Sequence, residues 1–175
     1  MQGLGESDEL VDALISASRA LVAMAARSVA GLTSEVTLPQ YRALVVLASQ
    51  GPQRSVDLAA ELQVNPSTAT RLIDRLVRAD LVERQPVEGD RRALLIALRP
   101  AGKRLVTTVT RRRRAEIERI VADMPARHRR AAAEALHAFA EAAGEVPDNQ
   151  WWLGFESQEL STSSEDNTVQ DTGTR

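Results

Sequence analysis

Asn65-Pro66-Ser67-Thr68-Ala69-Thr70-Arg71-Leu72-Ile73-Asp74-Arg75-Leu76 is the stretch on which the fold turns. Asn is a preferred N-cap because its side-chain oxygen accepts from a free N–H of the first turn, and proline fits the first helical position, where no N–H is needed. Ala69, Leu72, Ile73 and Leu76 then fall at i, i+3, i+4 and i+7, one apolar stripe on a helix expected over residues 66–79. Off that stripe stand Ser67, Thr68, Thr70, Arg71, Asp74, Arg75 and Arg78. Short hydroxyl side chains near a helix start let it approach base edges in a major groove, and arginine reaches guanine or phosphate. The helix start also offers unpaired N–H groups to a phosphate. Arginines alone would equally suit a solvated face, so the neighbouring elements decide.

Upstream, Ser55 is placed to cap a short helix over residues 56–62, with Val56, Leu58, Ala59 and Leu62 facing a core and Gln63-Val64 as a tight link into Asn65. Downstream, residues 81–85 and 92–98 read as two strands separated by residues 86–91, where Gly89-Asp90 supplies turn chemistry. Two short helices with a tight turn, the second polar and basic outward, followed by an arginine-tipped hairpin, form a winged helix-turn-helix. Ser55, at the start of the first helix of the pair, joins Ser67, Thr68, Thr70, Arg71 and Arg75 as a DNA-facing candidate. Arg91 at the hairpin tip suits a minor groove, whose negative potential attracts a guanidinium. Arg92, one residue along, is expected to point the other way because strand side chains alternate.

Further out, Leu10, Leu14, Ala17, Leu21 and Met24 form one seam of a long helix, beside Val11, Ile15, Val22, Ala25 and Val29, and Gly31 is placed to end it. Leu38-Pro39 opens another helix, carrying Tyr41, Leu44, Val45, Leu47 and Ala48 as far as Gln50-Gly51-Pro52. After Pro100 come Leu105, Val106, Val109, Ile117, Ile120, Val121 and Met124, then a last helix from Pro125 with Ala132, Leu136, Phe139 and Ala143. Long apolar seams at both ends exceed what one winged domain covers and call for a partner surface. The expected fold is mainly α, a winged helix-turn-helix over residues 37–99 with a β-hairpin wing. An N-terminal dimerisation helix (residues 1–36) and C-terminal dimerisation helices (residues 100–144) flank it. An acidic, largely disordered tail over residues 145–175 follows.

Composition agrees with one globular unit and excludes several function classes. The 175 residues contain no cysteine, and the two histidines, His128 and His137, are wrongly spaced for adjacent turns of one helix face, so neither a disulfide framework nor a metal site is expected. There is no glycine-rich phosphate loop, no Gly-x-Ser-x-Gly and no cysteine nucleophile, so an enzyme is not expected, nor a cofactor. No apolar run approaches the ~20 residues that span a bilayer, and the acidic N-terminus is unlike a signal peptide, so a cytoplasmic location is expected. The net charge of −2 conceals a division. Residues 145–175 carry seven acids against Arg175 alone, residues 1–12 carry four acids and no base, and residues 13–144 hold 21 basic against 13 acidic side chains. A basic body with acidic ends suits a polyanionic partner.

Two features stand outside this plan. Arg111-Arg112-Arg113-Arg114 cannot share one helix face at 100° steps, and Arg113, four after Val109 and four before Ile117, falls on the apolar seam. It is expected to be partly buried and paired with a carboxylate or an anionic ligand. Trp151-Trp152 and Phe155, in a chain with only five aromatic residues, either dock on the body or a partner or are loosely ordered.

The sequence resembles the MarR family of regulators in Leu38-Pro39-Gln40-Tyr41, in residues 67–76 followed by Leu81-Val82-Glu83-Arg84, and in Gly89-Asp90-Arg91-Arg92 leading through a strand to Gly102. The likeness covers about residues 8–143 in element order. It implies a homodimer whose first and last two helices intertwine, with two recognition helices reading a palindrome in double-stranded DNA. On that resemblance Ser67, Thr68, Thr70 and Arg71 are major-groove readers, Arg91 is the minor-groove probe, and Asp74 pairs with Arg92 to fix the wing. It also implies a repressor released by a small aromatic or phenolic anion. The pocket for that anion would be lined by Leu21, Met24, Tyr41, Leu44 and Arg113, although ordinary core is the simpler reading of such residues. Arg99 departs from the family, which usually has a helix-capping threonine there. Two rivals share the same surface: a sequence-tolerant architectural DNA-binding protein, and a helical interaction module without DNA binding.

Overall fold

The computed structural model describes residues 2–30, 36–87, 90–147 and 150–153, with the side chains of residues 2–4, 6, 30 and 90–93 outside that description. The chain runs α1 (Gln2–Ala30), α2 (Leu38–Gln50), β1 (Gln53–Arg54), α3 (Ser55–Glu61), α4 (Pro66–Arg78), β2 (Val82–Val87), β3 (Asp90–Leu98), α5 (Pro100–Asp123) and α6 (Ala126–Ala142). It is mainly helical, with one small antiparallel sheet in the order β1-β3-β2, and it is a winged helix-turn-helix. No helix among the described residues is long and apolar enough to cross a membrane.

The Leu38-Pro39-Gln40-Tyr41 motif has a local reason. Thr37 caps α2, and Gln40 closes a capping box by accepting from the Thr37 N–H at 2.7 Å. Tyr41 follows directly into the core, where Leu44, Leu47, Leu58, Ile73 and Leu76 are fully buried together with Ile96, Val106 and Val109. Burying each such side chain contributes about 1.5–3 kcal/mol. The core therefore sits where α2, α4, the sheet and the first half of α5 meet.

Both helices of the helix-turn-helix end in one way. Gln63 (φ 53) after α3 and Asp80 (φ 60) after α4 adopt the left-handed region. Val64 N–H then donates to Ala59 O, and Leu81 N–H to Leu76 O, both at 3.0 Å, satisfying carbonyls that the last helical turn leaves open. The first closure makes the tight link expected from Gln63-Val64. The second turns the chain into the wing.

The structure corrects the sequence reading in several places. Ser55 is the first residue of α3 and not its cap; Arg54 holds the cap position, with no side-chain hydrogen bond. Val56 is 60% exposed. It lies two residues, or about 200°, from the buried Leu58, on the far face of a two-turn helix. The strands run further toward the tip than expected, so Pro86 lies in β2, an edge strand where a missing N–H is tolerated. The strand β1 was not anticipated: Gln53 and Arg54 pair with Ile96 and Leu95 across the other edge of β3. Pro86 pairs with Leu94 but Val87 with Asp90, so the register jumps at residues 91–93 and the alternation argued for Arg91 and Arg92 has no regular strand to rest on. Pro125 occupies the N-cap position of α6, which starts at Ala126. Gly31 as a helix stop, the Gly89 turn residue and the disorder expected for residues 156–175 lie outside the described residues.

Candidate nucleic-acid interface

At the start of α4, Asn65 Oδ1 accepts from the Thr68 N–H at 2.9 Å and from the Ser67 hydroxyl at 2.8 Å, the cap expected from the Asn-Pro pair. The Thr70 hydroxyl donates to Pro66 O at 2.9 Å. With their protons so engaged, the Ser67 and Thr70 oxygens face outward as acceptors, suited to the amino groups of adenine or cytosine. Ser67, Thr68, Thr70, Arg71, Arg75 and Arg78 are all exposed, while Ala69, Leu72, Ile73 and Leu76 are buried. One helix thus presents hydroxyls in its first turns and guanidiniums along the same outward side.

Ser55 is half-buried at the first turn of α3, one helix away from this face. Asp74 is half-buried, and its Oδ1 accepts from Arg84 Nη2 at 2.5 Å. The pair ties the recognition helix to β2, a link the sequence reading missed. Residues ten positions apart on a helix and a strand share no periodicity, so nothing in the sequence signals it. The expected Asp74–Arg92 pair and the minor-groove placement of Arg91 involve side chains outside the described residues.

The base of the wing is held by one backbone hydrogen bond and a cluster of charges. Arg99 N–H donates to Leu81 O at 3.0 Å. The Arg99 side chain pairs with Asp80 and, at 3.8 Å, with Glu83. As expected from the missing threonine, Arg99 makes no side-chain cap to α5. Its charge instead joins the turn after α4 to β2.

Within one chain, three of the five residues considered for an effector pocket belong to the core. Met24 and Tyr41 are buried and Leu44 has no exposure, so all three are core, whereas Leu21 is 41% exposed. Arg113 is half-buried, as its seam position predicts, but no carboxylate pairs with it among the described residues. Trp151 and Leu153 pack against the core.

Comparison with known proteins agrees with this architecture. The MarR family profile matches residues 36–94. The chain is 45% identical to RV1404 from Mycobacterium tuberculosis, whose crystal structure superposes with a TM-score of 0.76 over 81% of this chain and 97% of that one. It is 36% identical over 78 residues to YsmB of Bacillus subtilis, an uncharacterized HTH-type transcriptional regulator, a match covering 45% of this chain and 53% of the relative. The chain spans about half the length of the curated relatives it matches. A MepR mutant of S. aureus, solved bound to an oligodeoxyribonucleotide, is 20% identical over 77% of this chain and 97% of its own, with a TM-score of 0.58, and shares the fold alone. Given a winged helix-turn-helix fold, a family profile matched over its reading head and a solved relative matched along nearly its whole length, the chain belongs to the MarR family of transcriptional regulators.

Proposed function

We propose that the protein is a cytoplasmic homodimer that binds a palindromic operator in double-stranded DNA, acts as a repressor and leaves the operator when a small molecule binds. The observation that carries this reading is the exposed face of α4, with Ser67, Thr68, Thr70, Arg71 and Arg75 on one side of a helix whose other side is core. In this reading Ser67, Thr68, Thr70 and Arg71 meet base edges, Arg75 and the first turn of α3 at Ser55 meet phosphates, Arg91 enters the minor groove, and Asp74 holds the wing through Arg84 and Arg92. The oligodeoxyribonucleotide bound by a MepR mutant, a protein of the same fold, supports DNA as the partner.

Dimerisation is supported by rows of exposed apolar side chains at both ends of the chain. Leu10, Val11, Ile15 and Val22 on α1, Ile117, Ile120 and Val121 on α5, and Leu136 and Phe139 on α6 all face outward. A monomer seldom leaves such surface uncovered, and a two-fold copy, which presents the same apolar rows, is the occupant this reading assigns to it. Half-sites roughly 34–36 Å apart then follow from one helical turn of DNA. For release, Arg113 offers a half-buried cation to an aromatic or phenolic anion entering beside Leu21, while Met24, Tyr41 and Leu44 would have to part to admit its ring.

Selection of bound duplexes from a random pool by the purified protein, repeated with Arg71→Ala and Arg91→Ala, tests the reading. A palindrome that is enriched by the protein and lost in the variants is the expected result. Binding without enrichment indicates an architectural DNA-binding protein, and no binding to any duplex indicates an interaction module.

A further inference from the structure

None of the residues of α6 is buried, and the helix is tied to the rest of its own chain at its two ends. At its start Arg129 donates to Met124 O at 3.0 Å and to Ala122 O at 2.9 Å, closing carbonyls at the end of α5. At its finish Gly144 takes the left-handed region (φ 74), Gly144 N–H donates to Glu141 O and Glu145 N–H to Ala140 O, both at 3.0 Å. That closure delivers the Glu145 carboxylate to Arg42 on α2, which donates to it twice, at 3.1 and 2.5 Å.

The chain beyond then folds onto the end of α2. Trp151 Nε1 donates to Val146 O at 2.9 Å, Trp152 N–H to Ser49 O at 2.9 Å and Leu153 N–H to Ala48 O at 3.1 Å. Carbonyls in the last turn of a helix lack intrahelical donors, and Pro52, which would follow in the ladder from Ala48, has no N–H to give. A segment about a hundred residues away in sequence thus supplies the C-terminal cap of α2. The Trp152 ring lies over Gly51, where an added Cβ would stand 3.1 Å from Cγ, and Lys103 Nζ sits 5.6 Å from the ring centroid. Gly51 is where α2 hands the chain to β1, and so to α3 and the recognition helix α4.

We infer that residues 145–147 and 150–153 are a positioning strap, in which Glu145 and Trp152 set the reading head relative to α6 and thereby fix the separation of the two recognition helices. The inference rests on the dimeric DNA-binding reading. With no residue of α6 fully buried in its own chain, the angle of the helix to the reading head follows from its tethered ends, and when α6 seats on a second copy the strap transmits that seat to Gly51 and the turn into α3. A strap with only a stabilising role would lower affinity for every duplex alike; a positioning strap makes affinity depend on spacing.

The test measures binding of the selected palindrome and of versions with one or two base pairs inserted or removed between the half-sites, for the full chain, Trp152→Ala and Glu145→Gln. Melting temperature and dimer mass are recorded alongside. The full chain is expected to lose about tenfold or more per base-pair change, and the variants less than about threefold, as dimers with little change in melting. Variants that keep the full chain's spacing profile, or that lose affinity equally at every spacing, overturn the inference while leaving the dimeric reading intact. A full chain that binds no duplex, or binds with no spacing preference, overturns the dimeric reading and the inference with it.

Discussion

The backbone carbonyl of Leu81 stands 2.2 Å from where a Cβ on Gly102 would lie, so the first turn of α5 rests directly on the base of the wing. The same carbonyl accepts from Arg99 N–H, which leaves it no freedom to withdraw. Gly102→Ala is therefore expected to lower unfolding free energy by about 2–3 kcal/mol, as overpacking against backbone does. Urea denaturation checks this, and an unchanged midpoint would show that the wing and α5 can separate without cost.

Asn65 holds two donors of the first turn of α4 on one oxygen. Asn65→Ala should cost about 1 kcal/mol of stability, and Asn65→Asp should recover most of it. Since the frayed turn carries Ser67 and Thr68, the alanine variant should also bind DNA more weakly than its stability loss alone explains. Equal DNA affinity in the two variants would contradict this.

Asp74 and Arg84 are each more than a third exposed, so their pair is screened. A double-mutant cycle with Asp74→Asn and Arg84→Gln should give a coupling below about 1 kcal/mol at physiological salt, and less in high salt. The same cycle run with Arg92→Gln separates the two proposed partners of Asp74. Coupling only to Arg84 would remove Arg92 from the wing-fixing role.

Arg71 and Arg75 share one exposed side of α4 but are assigned different tasks. Arg75→Ala should weaken binding evenly across sequences and reduce the salt slope of log Kobs by about 0.9, the mark of one lost phosphate contact. Arg71→Ala should instead relax preference at one base pair by about 1–3 kcal/mol. Identical behaviour of the two variants would refute the division.

Phe139 is 52% exposed on a helix that has no fully buried residue. Phe139→Glu and Leu136→Glu are expected to shift the protein from dimer to monomer in sedimentation equilibrium, with little effect on the folding of the winged domain. Dimers that persist in both variants would place the interface elsewhere.

What could be read from the sequence was whatever has a local cause. The stripe through Ala69, Leu72, Ile73 and Leu76, the Asn65-Pro66 start and the paired runs flanking Gly89 each depend on residues within one or two helical turns, and the structure builds α4 and the hairpin from them. Ser55 is the first helical residue and not the cap because a cap is decided by where the first helical dihedral falls, and the helix begins directly after Arg54 pairs with Leu95, one residue earlier than the sequence suggests. Val56 went wrong because a helix of two turns has too few apolar positions for its period to name the inward face.

The sequence by itself determined the order of elements, the polar face of α4 and the surplus of apolar positions on α1, α5 and α6, because periodicity and capping act over a few residues. Tertiary structure alone decided that Asp74 meets Arg84, that Leu81 O meets Gly102, that Gln53 and Arg54 become a strand, and that Trp152 covers Gly51. Each of these joins residues distant along the chain through open hydrogen-bonding groups or a vacant Cβ position. Whether a distant segment reaches such a group depends on how the whole core packs, which no local pattern encodes.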